Sequence, residues 1–291
     1  MELNTEAVSG PARAAATVVV LRDAPAGFEV FLIKRHGLSD VLGGAYVFPG
    51  GKVDAADTLL DMATHLDASP QQLHADLGEP DIDAMTAAGL YVAALREACE
   101  ESGVLFAHGA DAAVAAQAAA LLREGRAFDA VVAAMALRLN ASRLTPWTRW
   151  ITPRVPSLSR KRFDTRFFVA ALPEGQQAIH DNHEATESVW LTPRAALRQY
   201  WDHEIELAPP QIMSLASLSR HASVAGVLAH ARSRRPPVIQ PEPFELDGAR
   251  VVCYPGDERH PVRLAAMPGP TRLHYRNKRF EPADGFEGLF R

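Results

Sequence analysis

The stretch REACEESG, Arg96 to Gly103, holds the densest acidic signal in the chain. On a helix turning about 100° per residue, Glu97, Glu100 and Glu101 stand at i, i+3 and i+4 and share one face. Tyr91, Val92, Leu95, Ala98 and Cys99 fall on the opposite arc, which is predicted to bury against a sheet. Like-charge pairs at i,i+4 destabilise a helix by about 0.2–0.5 kcal/mol, and negative charge is disfavoured again near a helix C-terminus. A hard divalent cation resolves the conflict, because Mg2+ takes oxygen ligands and keeps waters that a phosphate can replace. The plain alternative is a solvated helix face, since surface helices commonly carry glutamates.

A second stretch, GAYVFPGGKVDAAD from Gly44 to Asp57, has two glycines after a proline and no serine or histidine nucleophile. Gly50 and Gly51 keep a backbone turn free of side chains, so that another group can approach it closely. The stretch is not a phosphate-binding P-loop. Tyr46 stands where that motif needs its first glycine, and Val53 follows Lys52 where it needs Ser or Thr.

The elements that must position these residues follow from pattern and punctuation. AAATVVVLR and FEVFLIKR, separated by DAPAG, read as paired strands. The segment 58–83 reads as short helical pieces in a surface insertion outside the core. AAGLYVAALREACEESG is predicted to be a helix that Gly103 terminates. VLFA is predicted to be a short strand and 110–140 a helical hairpin. RFDTRFFVAALP and SVWLTP are predicted strands, the second feeding a helix capped by Thr192 with Pro193 at its first position. Helices run to about Arg232, a Pro-rich connector RSRRPPVIQPEP follows, and the end is predicted to form strands with a tight turn near Asn277. Alternating strands and helices imply a mixed α/β fold with a C-terminal extension.

Taken together, GGKVDAAD and REACEESGV resemble the Nudix box. Gly51 is the box glycine, Asp57 stands where the first glutamate belongs, and Arg96, Glu97, Glu100, Glu101, Gly103 and Val104 match the second half position by position. Asp57 in place of Glu, Ala98 in place of a larger aliphatic, and a gap grown to the whole of 58–95 are the departures. The segments around the box, with WITPRVPSLSRKRFDTRFFVAALP and WLTPRAAL, are similar to the branch that includes mammalian peroxisomal coenzyme A diphosphatases with an interrupted box.

That resemblance implies an α/β/α sandwich with a mixed sheet, a Nudix domain over 1–215 and a C-terminal extension over 216–291. It implies Mg2+- or Mn2+-dependent cleavage of the diphosphate in coenzyme A or acyl-coenzyme A to 3′,5′-ADP and a 4′-phosphopantetheine. Gly51 (through its carbonyl), Glu97, Glu100 and Glu101 would hold the metal, and Arg96 would orient a glutamate. Gly50 belongs with Gly51 in the turn that the diphosphate approaches. Arg35, Gly44 and FPGG fit the shorter coenzyme A signature, while Asp40 falls where an arginine is expected. Glu184, preferred over Glu187, is the candidate general base; the alternative is a solvated loop acid. Diphosphatases of ADP-ribose, nucleotide sugars or dinucleotides use the same machinery. A non-catalytic sensor of a nucleotide-like ligand is a reading of another class, although such proteins usually lose box glutamates.

Arg143, Arg149, Arg154, Arg160, Lys161, Arg162 and Arg166 form a basic stretch in an acidic protein, with Arg162 and Arg166 the candidate phosphate contacts and loop charge paired with Asp164 the alternative. His180 and His183 lack further zinc ligands and read as loop histidines. Trp147, Trp150 and Trp190 read as core, and Cys99 as a small buried hydrophobe. The alanine-rich 110–140 segment is a candidate homodimer face, with packing inside the chain the simpler alternative.

A net charge of −5 argues against nucleic acid as the main partner. No run approaches the ~20 apolar residues of a membrane-spanning helix. Two distant cysteines, no evident targeting segment and an ending, GLFR, that is no peroxisomal address make the cytoplasm the expected compartment.

Overall fold

The structure, a computed structural model, describes residues 4, 6–37, 39, 42–155, 158, 161–182 and 184–291. Asp40, Arg160 and His183 lie outside the described residues.

Strands β1 (Arg13–Ala24) and β2 (Gly27–Arg35) pair antiparallel about a two-residue turn, with Ala24 opposite Gly27. Short strands β3 (Tyr46–Val47) and β4 (Gly50–Lys52) return the chain along β2 and β1. Three helices follow: α1 (Met62–His65), α2 (Pro70–Leu77) and the long α3 (Ala84–Ser102). Next come α4 (Ala112–Arg123) and α5 (Phe128–Ala134), then strands β5 (Thr145–Ile151), β6 (Phe163–Ala171) and β7 (Ala185–Leu191). Helices α6 (Pro193–Trp201), α7 (Pro209–Leu218) and α8 (Val224–Arg232) lead to β8 (Val238–Ile239). The chain ends in β9 (Glu242–Leu246), β10 (Ala249–Cys253), β11 (Arg272–Arg276) and β12 (Arg279–Glu281).

The first sheet runs β3-β2-β1-β6-β5-β8, with β4 on β1 and β7 on β2. It is mixed: β1 lies parallel to β6 over nine residue pairs, while β5 and β6 are antiparallel. Side chains alternate between two cores, as a period of two requires. Val18, Val20, Phe31, Ile33, Phe168 and Ala170 face α3 and its neighbours, whereas Val19, Leu21, Val30, Leu32, Phe167 and Val169 face α6, α7 and α8. A sheet buried on both faces needs continuous apolar strands, which β1 and β2 supply. The second sheet, β12-β11-β10-β9, adds Val252, Leu273 and Phe280 to the second core.

Asp83 caps α3 by accepting from Thr86 N–H at 2.8 Å, and Gly103 ends it in the left-handed region at φ 66°. Tyr91 packs on Phe168 with ring centroids 4.7 Å apart, tying the helix to β6. The expected helical hairpin is α4 and α5, Thr192 caps α6, and the tight turn sits at Asn277 and Lys278, both at positive φ.

Three expectations are corrected. The segment 58–83 is not merely superficial, because Leu60, Met62, Leu66, Leu73 and Leu77 are buried in the first core. Burying each such side chain contributes about 1.5–3 kcal/mol, which outweighs the ~0.6 kcal/mol that each doubling of loop length costs. VLFA is not a strand. Its Leu105 donates its N–H to Gln176 Oε1 and its C=O accepts from Gln176 Nε2, and only Ala107 makes an isolated bridge, to Leu139. The Pro-rich connector contains a strand, β8, parallel to β5.

Candidate active site

Strand β4 and helix α3 bring the two chemical stretches together. Gly50 N–H donates to Glu101 Oε2 at 2.8 Å. A Cβ placed on Gly51 would stand 2.5 Å from Glu97 Oε1, so only glycine admits the carboxylate there. The 3-10 turn over Ala55–Thr58 carries Asp57 inward, where its carboxylate accepts from Arg96 Nε at 2.8 Å and Nη2 at 2.9 Å. The same guanidinium reaches Glu97 Oε1 at 2.8 Å, Glu100 Oε2 at 2.9 Å and the Lys52 carbonyl at 3.0 Å. Arg96 is thus the hub between the loop half and the helix half, and a bidentate fork of this kind fixes orientation as well as charge. Burial works against its charge, but Asp57, Glu97 and Glu100 hold the guanidinium above its ordinary pKa.

The acids are strained electrostatically. Burial pushes Glu97 up to about 7, against the pull of Arg96. Burial and the neighbouring Glu97 push Glu101 well up, and burial raises Glu100. Glu101 Oε1 is buried without a hydrogen-bond partner among the described residues; Arg35 Nη1 stands 3.6 Å away, an ion-pair distance only. No group of three or more His, Cys, Asp or Glu is arranged to hold a metal ion among the described residues. The donor set nonetheless fits a divalent cation. Arg96 is shared among Asp57, Glu97 and Glu100 and Arg35 stands off from Glu101, so the desolvated carboxylates outnumber their cations, and hard oxygen donors are what Mg2+ and Mn2+ take.

Gly50, Gly51, Arg96, Glu97 and Glu100 line a cavity of about 610 Å³. Its polar wall includes Arg35, Lys52, Arg96, Glu97, Glu100 and Glu184, with Arg13 and Lys161 also exposed to it. Its apolar wall includes Phe48, Trp150, Phe167 and Val252 of the second core, with Pro209 and Pro210 beside them. Glu184 stands 3.5 Å from Arg35 Nη2, has a side chain 64% exposed, and adds its charge to the field at Glu97, Glu100 and Glu101. Glu187 instead meets Lys34 at 3.2 Å.

Of the two candidate phosphate contacts, Arg162 and Arg166, neither lines the cavity, and Arg166 shows the alternative pairing with Asp164. Arg166 is buried and pairs with Glu79 at 2.5 Å and Asp164 at 3.0 Å, outside the cavity lining. Arg162 donates to the Thr152 and Pro153 carbonyls at 3.1 Å and to the Gly10 carbonyl at 2.9 Å. Arg149 likewise meets Glu79 and Asp164. The cavity takes Lys161 and Arg13 in their stead. Asp57 as the anchor of Arg96, Glu79 inside the insertion, and the contributions of Gln211, Pro241 and Val252 to the cavity were missed. The one signal available for Asp57 was its match to a box glutamate. His180 bonds Ser188, Cys99 is buried, and Trp147 and Trp150 are core, Trp150 also facing the cavity.

The sequence signature of the NUDT19 Nudix domain matches residues 10–218, well over half of the chain. The chain belongs to the Nudix hydrolase superfamily. It is 26% identical over 276 residues to "Acyl-coenzyme A diphosphatase NUDT19" of Xenopus laevis, covering 80% of this chain and 72% of that protein. It is 28% identical over 235 residues to the Homo sapiens protein of the same name, covering 68% of this chain and 62% of that protein. Among solved structures, the NUDIX hydrolase from Alicyclobacillus acidocaldarius aligns with a TM-score of 0.59 at 30% identity, over 77% of this chain and 97% of that one. The protein is therefore a Nudix-type hydrolase acting on phosphoanhydride bonds. No helix among the described residues is long and apolar enough to cross a membrane.

Proposed function

We propose that the protein hydrolyses the diphosphate bond of coenzyme A or an acyl-coenzyme A, giving 3′,5′-ADP and a 4′-phosphopantetheine. The observation that carries this reading is the closure of the Gly50–Gly51 turn onto Glu97 and Glu101, which sets Gly50, Gly51, Glu97 and Glu100 in the wall of a cavity whose other wall is apolar. A substrate with a charged diphosphate and a long, largely uncharged arm matches both walls, and the names of the Xenopus and human relatives support the same class.

Glu97, Glu100, Glu101 and the Gly51 carbonyl would hold Mg2+ or Mn2+, which when bound neutralises phosphate charge and acidifies a water. Arg96, anchored by Asp57, keeps Glu97 and Glu100 in place. Arg35 lines the cavity, and its guanidinium is a donor of the kind that binds a phosphate oxygen. Glu184 faces the same space and accepts the proton of the attacking water, which adds to one phosphorus as the bridging oxygen leaves on the other phosphate.

The test is incubation of the protein with coenzyme A, acetyl-coenzyme A, ADP-ribose and a dinucleotide, each with Mg2+ and with Mn2+, followed by mass spectrometry of both halves. Release of 3′,5′-ADP from the coenzyme A substrates, abolished by Glu100→Gln, is the expected result. Turnover confined to ADP-ribose or the dinucleotide overturns the substrate. Ligand binding with no turnover by either form overturns catalysis.

A further inference from the structure

Away from the cavity, the end of α8 collects positive charge. This helix packs on β5, β6 and β1 and puts Val224, Val227 and Ala231 into the second core. His230 lies in its last turn. Ser233, which closes the helix, keeps helical dihedrals, so Arg234 stands at i+4 from His230 on the same face. His221, in the loop before α8, brings its ring to 5.0 Å from that of His230, centroid to centroid. None of the three lines the cavity.

The groups that could answer this charge from within the protein are used elsewhere. Arg234 Nε and Nη2 are buried with no hydrogen-bond partner among the described residues, while Arg234 Nη1 and the ring nitrogens of both histidines are not buried with them. No carboxylate pairs with any of the three among the described residues. At the end of α8 the Ala229 and His230 carbonyls accept from Ser233 N–H at 3.1 and 3.3 Å, and the second also from Ser233 Oγ at 2.8 Å. Asp23 is committed at the opposite end of the helix, where it accepts from Val224 N–H at 3.0 Å. Burial holds both imidazoles below their ordinary pKa, with Arg234 pressing the same way, and lowers Arg234 itself. A partly buried guanidinium with no carboxylate is costly, and an anion from outside the chain would relieve it.

The donors say what kind of anion. A carboxylate brings one charge and two oxygens, whereas a phosphate group near neutral pH brings close to two charges and three strong acceptor oxygens. The planar guanidinium matches phosphate, and two imidazoles can take up protons as the anion arrives. We propose that His221, His230 and Arg234 form a binding site for a phosphate group, separate from the catalytic cavity. The site is independent of which diphosphate the cavity cleaves.

The test follows the histidine ring signals of the full chain by NMR across pH, with inorganic phosphate, AMP and acetate as probes. His221→Gln and His230→Gln assign the two signals. The expected result is that inorganic phosphate or AMP raises the titration midpoints of both imidazoles saturably while acetate does not. Arg234→Gln is expected to weaken that binding about 10-fold or more, the loss of a charge-assisted hydrogen bond. A tighter response to inorganic phosphate makes the free anion the ligand, and a tighter response to AMP makes it a phosphate monoester; both support the site. Equal shifts of all histidines, or a response unchanged by Arg234→Gln, overturn it. A lowered thermal midpoint of Arg234→Gln in phosphate-free buffer, with no response of the wild-type imidazoles to either phosphate probe, also overturns it, since Arg234 then serves packing alone.

Discussion

Gly50 and Gly51 are adjacent, yet substituting them is expected to do different things. A Cβ on Gly50 would stand 2.5 Å from the Ala16 carbonyl oxygen and 2.7 Å from the Thr17 Cα, both main-chain atoms that cannot swing aside. Gly50→Ala is therefore expected to destabilise the fold by about 1–3 kcal/mol, read as a lower urea midpoint. The Cβ of Gly51→Ala meets only the end of the Glu97 side chain, which can move. That variant is expected to keep its urea midpoint but lose about 100-fold in kcat, since displacement of a catalytic group by about 1 Å costs that much. Asp57→Ala leaves the buried side of Arg96 without its fork, and breaking such a pair is expected to cost about 3–5 kcal/mol. The glutamate trio was legible because helical periodicity is local and three acids on one arc of a predicted helix stand out. The placement of Arg162 and Arg166 was not, because a charge run shows sign but not partners. Glu79, the partner of Arg166, lies 87 positions away.

The segment between the box halves shows at the scale of elements what such distant pairing does. Helix α2 buries Leu73 and Leu77 against α3, and Glu79 just beyond it meets both Arg166 on β6 and Arg149 on β5. The insertion thus braces the strand pair that forms the far side of the sheet. Asp164 also contacts both arginines, so Glu79→Ala removes part of their compensation but not all of it. The expected cost is about 1–3 kcal/mol, checked by urea denaturation, with kcat unchanged because this cluster lies outside the cavity. Strands β1 and β2, helix α3 with its glycine stop, the α4–α5 hairpin and the cap of α6 could be read from periodicity and punctuation. β8 could not, because a two-residue strand within prolines has no period and exists only by pairing with β5. VLFA looked like a strand for the opposite reason: its apolar run is real, but a glutamine side chain takes the bonds a neighbouring strand would have taken.

Across the whole molecule, the C-terminal sheet is part of the second core and of the cavity wall, a role that no local pattern in 216–291 announces. Its loop between β10 and β11 is held by Asp257, whose side chain is 1% exposed and accepts from Arg272 Nε at 2.6 Å and Nη2 at 2.8 Å, and from Arg259 N–H at 2.9 Å. Burial alone would raise this carboxyl, but Arg272 and the main-chain donor hold it below the ordinary carboxylate range. A carboxyl lowered by folding contributes stability that is present above its unfolded pKa of about 3.9 and is lost as pH falls through the folded value. Protonation there loosens a loop that joins two strands of the sheet carrying Val252, so its effect reaches the second core. Asp257→Asn is expected to melt below the wild-type protein at pH 7. As pH drops below the unfolded carboxylate pKa and through the lower folded value, the wild-type midpoint is expected to fall faster until the two converge. Thermal denaturation of both proteins across that range checks the expectation, and a gap that stays constant with pH would show that Asp257 acts by packing alone.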